Sequence, residues 1–400
     1  MGLLTGMRVL SIEQYGAGPF GTQLLAGMGA EVIKVEQPHE QGDVSRQVGP
    51  WFDRSLPASA QSLFFQSLNC GKKSISVDLM HKEGRQLLME LAPSCDVVAS
   101  NLRGDVPQRL GLTYAQLAPA NPRLVCAHLT GYGREGERAN WPGYDYLMQA
   151  EAGYFSLTGE PDSAPSRMGL SIIDYMSGVM LSLAITSALL DVQRGGVGRD
   201  VDVALFDVAL FNLNYLASWY LNSEAETGRQ PRSAHPSMTP CQLYRTRDGW
   251  IYLMCNKEKF WRNLCECLER PQWLADARFT GFAERLQHRD VLGAMLDGVL
   301  VERDTAEWMA LFAGRVPAAP ILSVAQALDS PFAQARDAIA TVRTPEGHAL
   351  RMVRSPLRVG DPQDVAGGAA PTLGQHTDEI LLGAGVDAAR LARLKALGVL

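Results

Sequence analysis

Arg8-Val-Leu-Ser-Ile12, then Gly16-Ala-Gly18-Pro-Phe-Gly21, then Glu31-Val-Ile-Lys-Val-Glu36 is the most informative run in this chain. A compact apolar segment ending at a glycine-rich turn reads as a strand. Residues 22–28 have helical character, and Gly29-Ala30 breaks that helix before a second apolar run. Strand, turn, helix, strand in this order is a parallel βαβ unit. The pattern recurs at residues 73–77, in the helix around 84–91, at 96–99 and at 124–129. The expected fold class is therefore α/β, a parallel sheet with helices on its faces.

The glycines fit the dinucleotide fingerprint G-x-G-x-x-G, and Glu36 stands twenty residues beyond the first of them, at the end of the second strand. In that setting the glycines let backbone approach a pyrophosphate at a helix N-terminus. The motif does not say whose pyrophosphate it is, since coenzyme A carries one as NAD does. Glycines serving only the strand-to-helix turn fit the same letters.

With 400 residues the chain is long enough for two or three domains. Its 46% hydrophobic and 20% charged residues describe a folded protein. The net charge of −6 is dispersed, with no basic stripe for nucleic acid. Seven cysteines, irregularly spaced, suit free thiols rather than a disulfide or zinc framework. No secretion signal is read ahead of the first strand, so a cytoplasmic location is expected. The apolar stretch 177–190 is too short to span a membrane, and 201–221 carries Asp207, Asn212 and Asn214, so buried helices and no membrane are expected.

The texture changes near residue 225. Residues 228–236 form a polar, proline-containing linker. Residues 242–247 and 250–255 flank Asp248-Gly249 as a hairpin, and Phe260, Leu264 and Leu268 fall at helical spacing. The expected layout is a large domain over 1–225, a small α+β domain over 226–325, and a tail over 326–400 returning to the large domain.

An ordered set of segments resembles the CoA-transferase family III. It runs from the opening βαβ unit through Gly42-Asp43 with Arg46, residues 69–78, Asn101 with Arg109-Leu-Gly111, Gly143-Tyr-Asp145, Thr158-Gly159 and Ile173-Asp174. It continues through residues 198–203 to Leu373-Gly-Gln-His-Thr-Asp378. The resemblance implies a large Rossmann-like domain, a small domain and an interlocked, ring-like homodimer. It implies transfer of CoA from an acyl-CoA to a small carboxylic acid, a dicarboxylate among the candidates.

In this family the nucleophile is an aspartate, and the match falls on Asp174. By position alone Asp174 reads as a helix cap, whose charged form the helix dipole favours by about 0.3–1 kcal/mol; the resemblance makes it the acyl carrier. Tyr144 stands where related racemases have a histidine, and a phenol suits two-base proton exchange poorly. Tyr144 and Asp145 would line the acyl pocket and orient Asp174 or the incoming acid; packing and a turn are the alternative. The coenzyme A contacts implied are Gly16, Ala17, Val77, Asp78, Leu79, Met80, Asn101, Leu102, Arg103 and Arg109. Gln14, Gln37 and Met80 replace a histidine, an arginine and a lysine of formyl-CoA transferase, which weakens phosphate contacts there. No glycine run marks a lid near His235-Pro236. His128 and His376 read as structural, and no metal is expected.

The competing readings are an α-methylacyl-CoA racemase, an NAD-dependent dehydrogenase and a non-enzymatic CoA-binding subunit.

Overall fold

The computed structural model of the chain describes residues 2–344, 346–357 and 368–400. Six strands form one parallel sheet: β1 (Arg8–Ile12), β2 (Glu31–Glu36), β3 (Lys73–Ser76), β4 (Val97–Ser100), β5 (Val125–Thr130) and β6 (Arg199–Ala204). Their order is β3-β2-β1-β4-β5-β6, so the winding reverses between β1 and β4. Open α/β sheets bind ligands in the crevice at such a reversal, outside the carboxyl ends of the strands.

The helices up to residue 212 are, in chain order, α1 (Ala17–Gly27), α2 (Leu63–Asn69), α3 (Lys82–Leu91), α4 (Val106–Leu110), α5 (Tyr114–Leu117), α6 (Asp145–Glu151), α7 (Ile172–Gln193) and α8 (Leu205–Asn212). One face of the sheet packs Leu10, Ile33, Ile75 and Val98 against Leu87 and Leu88 of α3 and against Leu381, Leu391 and Leu394 of the C-terminal helices. α1 packs on β2 and on α7, and α7 packs on β5 and β6. Burial on both faces explains why β1, β4 and β5 read as largely apolar runs.

Contacts group residues 1–152, 169–214 and 337–400 into the unit that holds this sheet. Residues 153–168 and 215–336 form a second unit. It contains a three-stranded antiparallel sheet, β7 (Cys241–Arg245), β8 (Trp250–Met254) and β9 (Ala318–Pro320), over a core with Trp261, Trp308 and Phe312. The observed boundaries fall at 214 and 336 rather than 225 and 325. Residues 153–168 join the second unit through contacts distant in sequence, which no local texture reveals.

α7 begins at Ile172 and runs 22 residues, well beyond the apolar core 177–190 seen in the sequence. It is long and apolar enough to cross a membrane, and half of it is buried within the protein. Its length comes from packing: Leu181, Ile185 and Leu189 are buried at helical spacing.

Candidate active site

At the reversal lies a cavity of about 510 Å³. Gln14, Tyr15, Gly16 and Ala17 enter it from the turn after β1, and Asn101, Leu102 and Arg103 from the turn after β4. Trp141 to Tyr144 and the start of α7, with Asp174, close its wall. The β1–α1 turn is thus where the cavity sits, as its glycines suggest, yet the glycines make room for protein. A Cβ on Gly16 would lie 2.3 Å from Asp174 Oδ2, and one on Gly21 would lie 2.7 Å from the Gly178 carbonyl oxygen. The first glycine admits the carboxylate of α7 and the third lets α1 and α7 touch backbone to backbone, while Gly18 faces the Asn101 side chain.

Glu36 is likewise unable to take a ribose. Its carboxylate is buried, accepting from Arg46 Nε at 2.8 Å and Nη2 at 2.6 Å and from Ser74 Oγ at 2.6 Å. All of its acceptor sites point into protein, which removes the feature that favoured a nicotinamide dinucleotide.

Asp174 occupies the first turn of α7, three residues after the N-cap Ser171, and is 6% exposed. The helix starts earlier than its apolar run indicates, so Asp174 is inside the turn and does not cap it. Asp145 does: its Oδ2 accepts from Ile173 N at 2.6 Å and from Asp174 N at 3.0 Å. The other oxygen of Asp145 accepts from Gln149 Nε2 at 2.6 Å. A carboxylate borrowed from α6 therefore satisfies donors that the Ser171 side chain leaves open.

The electrostatic result reverses the sequence expectation for Asp174. Burial, and then the neighbouring Asp145 charge, push its pKa up from 3.8 to about 7. Among the described residues no cation or hydrogen-bond donor faces its carboxylate to offset these effects. A dipole contribution of about 0.3–1 kcal/mol is too small to compensate a shift of this size, at about 1.4 kcal/mol per unit. Nearby Asp43 shows the contrast. Burial opposes its charge too, but Lys34 and the backbone N–H groups of Tyr15 and Ser45 outweigh it and hold its pKa below the usual range.

The expected ligand residues separate into two groups. Gly16, Ala17, Asn101, Leu102, Arg103 and Tyr144 line the cavity. Asn101 is held by protein, however: its Oδ1 accepts from Gln14 N and its Nδ2 donates to Gln14 O, clipping the two strand ends together. Asp145 does not line the cavity. Arg109 also lies off it, paired with Asp105 at 3.0 Å. Val77, Asp78, Leu79 and Met80 follow β3, two strands from β1. Val77 and Leu79 are in the core, Asp78 accepts from Gln37 Nε2 at 2.7 Å, and Met80 is exposed.

Tyr15, Val44 and Trp141 also line the cavity and carried no sequence signal. Tyr15 has φ of 69°, the left-handed region, and its ring meets that of Tyr144 edge-on at 6.3 Å.

Ser100, His128 and Asp200 join end to end, with Ser100 Oγ 3.2 Å from His128 Nδ1 and His128 Nε2 2.9 Å from Asp200 Oδ1. The serine end is sealed in the sheet and the aspartate end is the open one. That is the reverse of what a serine nucleophile needs, so the row ties three strands together. His376 accepts from Ser74 N. Among the described residues no cluster of His, Cys, Asp and Glu could hold a metal, and all seven cysteines are free.

Residues 4–377 match CoA-transferase family III. The chain belongs to that family. It is 35% identical to an acyl-CoA transferase of Fusarium pseudograminearum, over all of this chain and 88% of the other. It is 33% identical to the succinate–glutarate CoA-transferase of Agrobacterium fabrum, over 94% of each chain. The crystal structure of a CAIB/BAIF family protein from Brucella suis superposes with a TM-score of 0.82 at 32% identity, covering 96% of this chain and 99% of that one. This family III CoA-transferase thus carries its family's fold around a cavity whose buried acid is Asp174.

Proposed function

We propose that the enzyme moves CoA from an acyl-CoA to a small dicarboxylic acid through an acyl group carried on Asp174. The observation supporting it most directly is a buried carboxylate without a cation, at the head of a cavity at the sheet's reversal point. Such a group is poorly solvated and reactive once ionised.

The steps balance without any co-reactant. An oxygen of Asp174 attacks the thioester carbon, the C–S bond breaks, and CoA leaves as thiolate, with the acyl group left on Asp174 as a mixed anhydride. The thiolate then attacks the aspartyl carbonyl, releasing the donor acid and leaving an aspartyl–CoA thioester. The acceptor acid runs the two steps backwards. Tyr144 and Tyr15 would wall the acyl end, and Arg103, the basic residue among those lining the cavity, would pair with a carboxylate or phosphate. The nucleotide would extend over the strand ends towards residues 77–80. The succinate–glutarate relative supports a dicarboxylate as acceptor.

The working unit would be an interlocked homodimer in the cytosol. Support comes from Val179, Leu183 and Leu190 of α7 and Phe211 of α8, which are exposed apolar side chains in one chain, and from the free thiols. A panel of acyl-CoA donors against labelled acids tests the reaction, with mass spectrometry of protein incubated without acceptor. An adduct on Asp174, and loss of exchange in freshly purified Asp174→Asn, are the expected results. Normal exchange by that variant would sink the assignment.

A further inference from the structure

Side chains distant in sequence hold four backbone groups of the turn, Glu13 O, Gln14 N, Gln14 O and Tyr15 N. Lys34 Nζ, on β2, donates to Glu13 O at 2.8 Å. Asn101, after β4, takes both Gln14 N and Gln14 O. Asp43 Oδ1 accepts from Tyr15 N at 3.0 Å and from Ser45 N at 2.8 Å. The other oxygen of Asp43 pairs with Lys34 Nζ at 2.8 Å, both side chains being 0% exposed. One buried ammonium thus grips the turn twice, directly through Glu13 O and indirectly through Asp43 and Tyr15 N.

This restraint surrounds a residue that resists its conformation. A tyrosine at φ of 69° stands in the left-handed region, where its Cβ crowds the backbone, and persists only where its surroundings impose it. The next residue is Gly16, whose absent Cβ leaves the space that Asp174 Oδ2 fills. The left-handed turn is therefore a mould for the Asp174 carboxylate, with the Tyr15 ring beside it.

We infer that Asp43, anchored by Lys34, is a positioning residue for acyl transfer: through the Tyr15 N–H it fixes the turn that seats Asp174. The inference rests on Asp174 being the acyl carrier. Asp43 touches no substrate, so its loss should slow formation of the acyl-enzyme more than it weakens binding.

The test is single-turnover acylation of the full-length enzyme by an acyl-CoA. Asp43→Asn keeps the shape and an acceptor oxygen but loses the ion pair. It should lower the acylation rate by about tenfold or more, since sub-ångström misplacement of a reacting group carries such costs, with KM for acyl-CoA changed less than about threefold. In a Tyr15→Gly background, where glycine adopts the turn unaided, the same change should cost less than about twofold. Should Asp43→Asn not fold, Tyr15 replaced by its α-hydroxy analogue removes only the donated N–H, and the same drop is expected. Wild-type acylation by either folded variant, or an equal loss in the glycine background, overturns the inference. Asp174→Ala run alongside separates the two claims. If it still exchanges thioesters the carrier assignment fails, and if it is inactive while Asp43→Asn is normal only the positioning role fails.

Discussion

The Asp145 carboxylate accepts the backbone N–H of Asp174 at 3.0 Å, so one acid caps the helix on which the other is carried. The capping charge stands close enough to the second carboxyl to help raise its pKa. A contact that stabilises α7 thereby destabilises the ionised form of Asp174. The proton on Asp174 is thereby retained to a far higher pH than on an ordinary aspartate, up to about 7.

Activity should follow that proton. With Asp174 as the proposed acyl carrier, only its ionised carboxyl could attack a thioester, so kcat/KM should rise with pH through a midpoint near 7. Asp145→Asn keeps the capping oxygen and removes the charge, so the midpoint should move lower. A rate profile over pH 4–9 measures both. A midpoint near 4 in the native enzyme would show that burial and Asp145 do not raise the pKa of Asp174.

Stability should move the other way. The folded pKa of Asp174 exceeds its unfolded value, so the protonated form is favoured by folding. Its contribution is complete below about pH 4 and is lost as pH rises through 7. Asp174→Asn cannot ionise, and should be more stable than the native enzyme at pH 8, by up to about 4 kcal/mol, with the gain vanishing near pH 4. Urea denaturation at the two pH values checks the sign.

Two glycines of one motif should fail differently. Alanine at Gly16 places its Cβ on the Asp174 carboxylate, a side chain able to shift, so activity should fall by about 100-fold with little loss of stability. Alanine at Gly21 meets the Gly178 backbone, which has nowhere to go, and should destabilise by about 1–3 kcal/mol through helix separation. Steady-state kinetics and thermal melts of the pair distinguish these outcomes. Similar behaviour in both would argue against the mould.

Glu36→Gln should destabilise by about 3–5 kcal/mol, because it leaves the buried Arg46 guanidinium without its counter-charge. NAD should not bind the native enzyme with measurable affinity. Calorimetric titration with NAD and a denaturation curve test these claims, and a tight NAD complex would reopen the dinucleotide reading.

Much of the sheet was legible from letters alone. Alternating apolar runs and glycine breaks located β1, β2, β3, β4 and β5, and the hairpin at Asp248-Gly249 appears as β7 and β8. β6, reading Arg-Asp-Val-Asp-Val-Ala, went unseen as a strand because its polar residues break the apolar run. Asp174, Tyr144 and the glycine turn entered the site through family resemblance and local order. Tyr15, Lys34 and the capping role of Asp145 did not, since each depends on partners between 9 and 29 positions away along the chain.

Strand order along the chain, the glycines and the apolar periodicities are local properties, set by backbone sterics and side-chain burial within a few residues. They were enough to establish a parallel α/β sheet and to mark one turn as special. What occupies that turn is a different kind of question. A carboxylate from α7 fills it, α6 caps the helix behind that carboxylate, and a buried lysine holds the turn's strained residue. Solvation and charge depend on everything within a few ångströms, whatever its position in the chain. The ionisation of Asp174 therefore emerged only once the chain had folded around it.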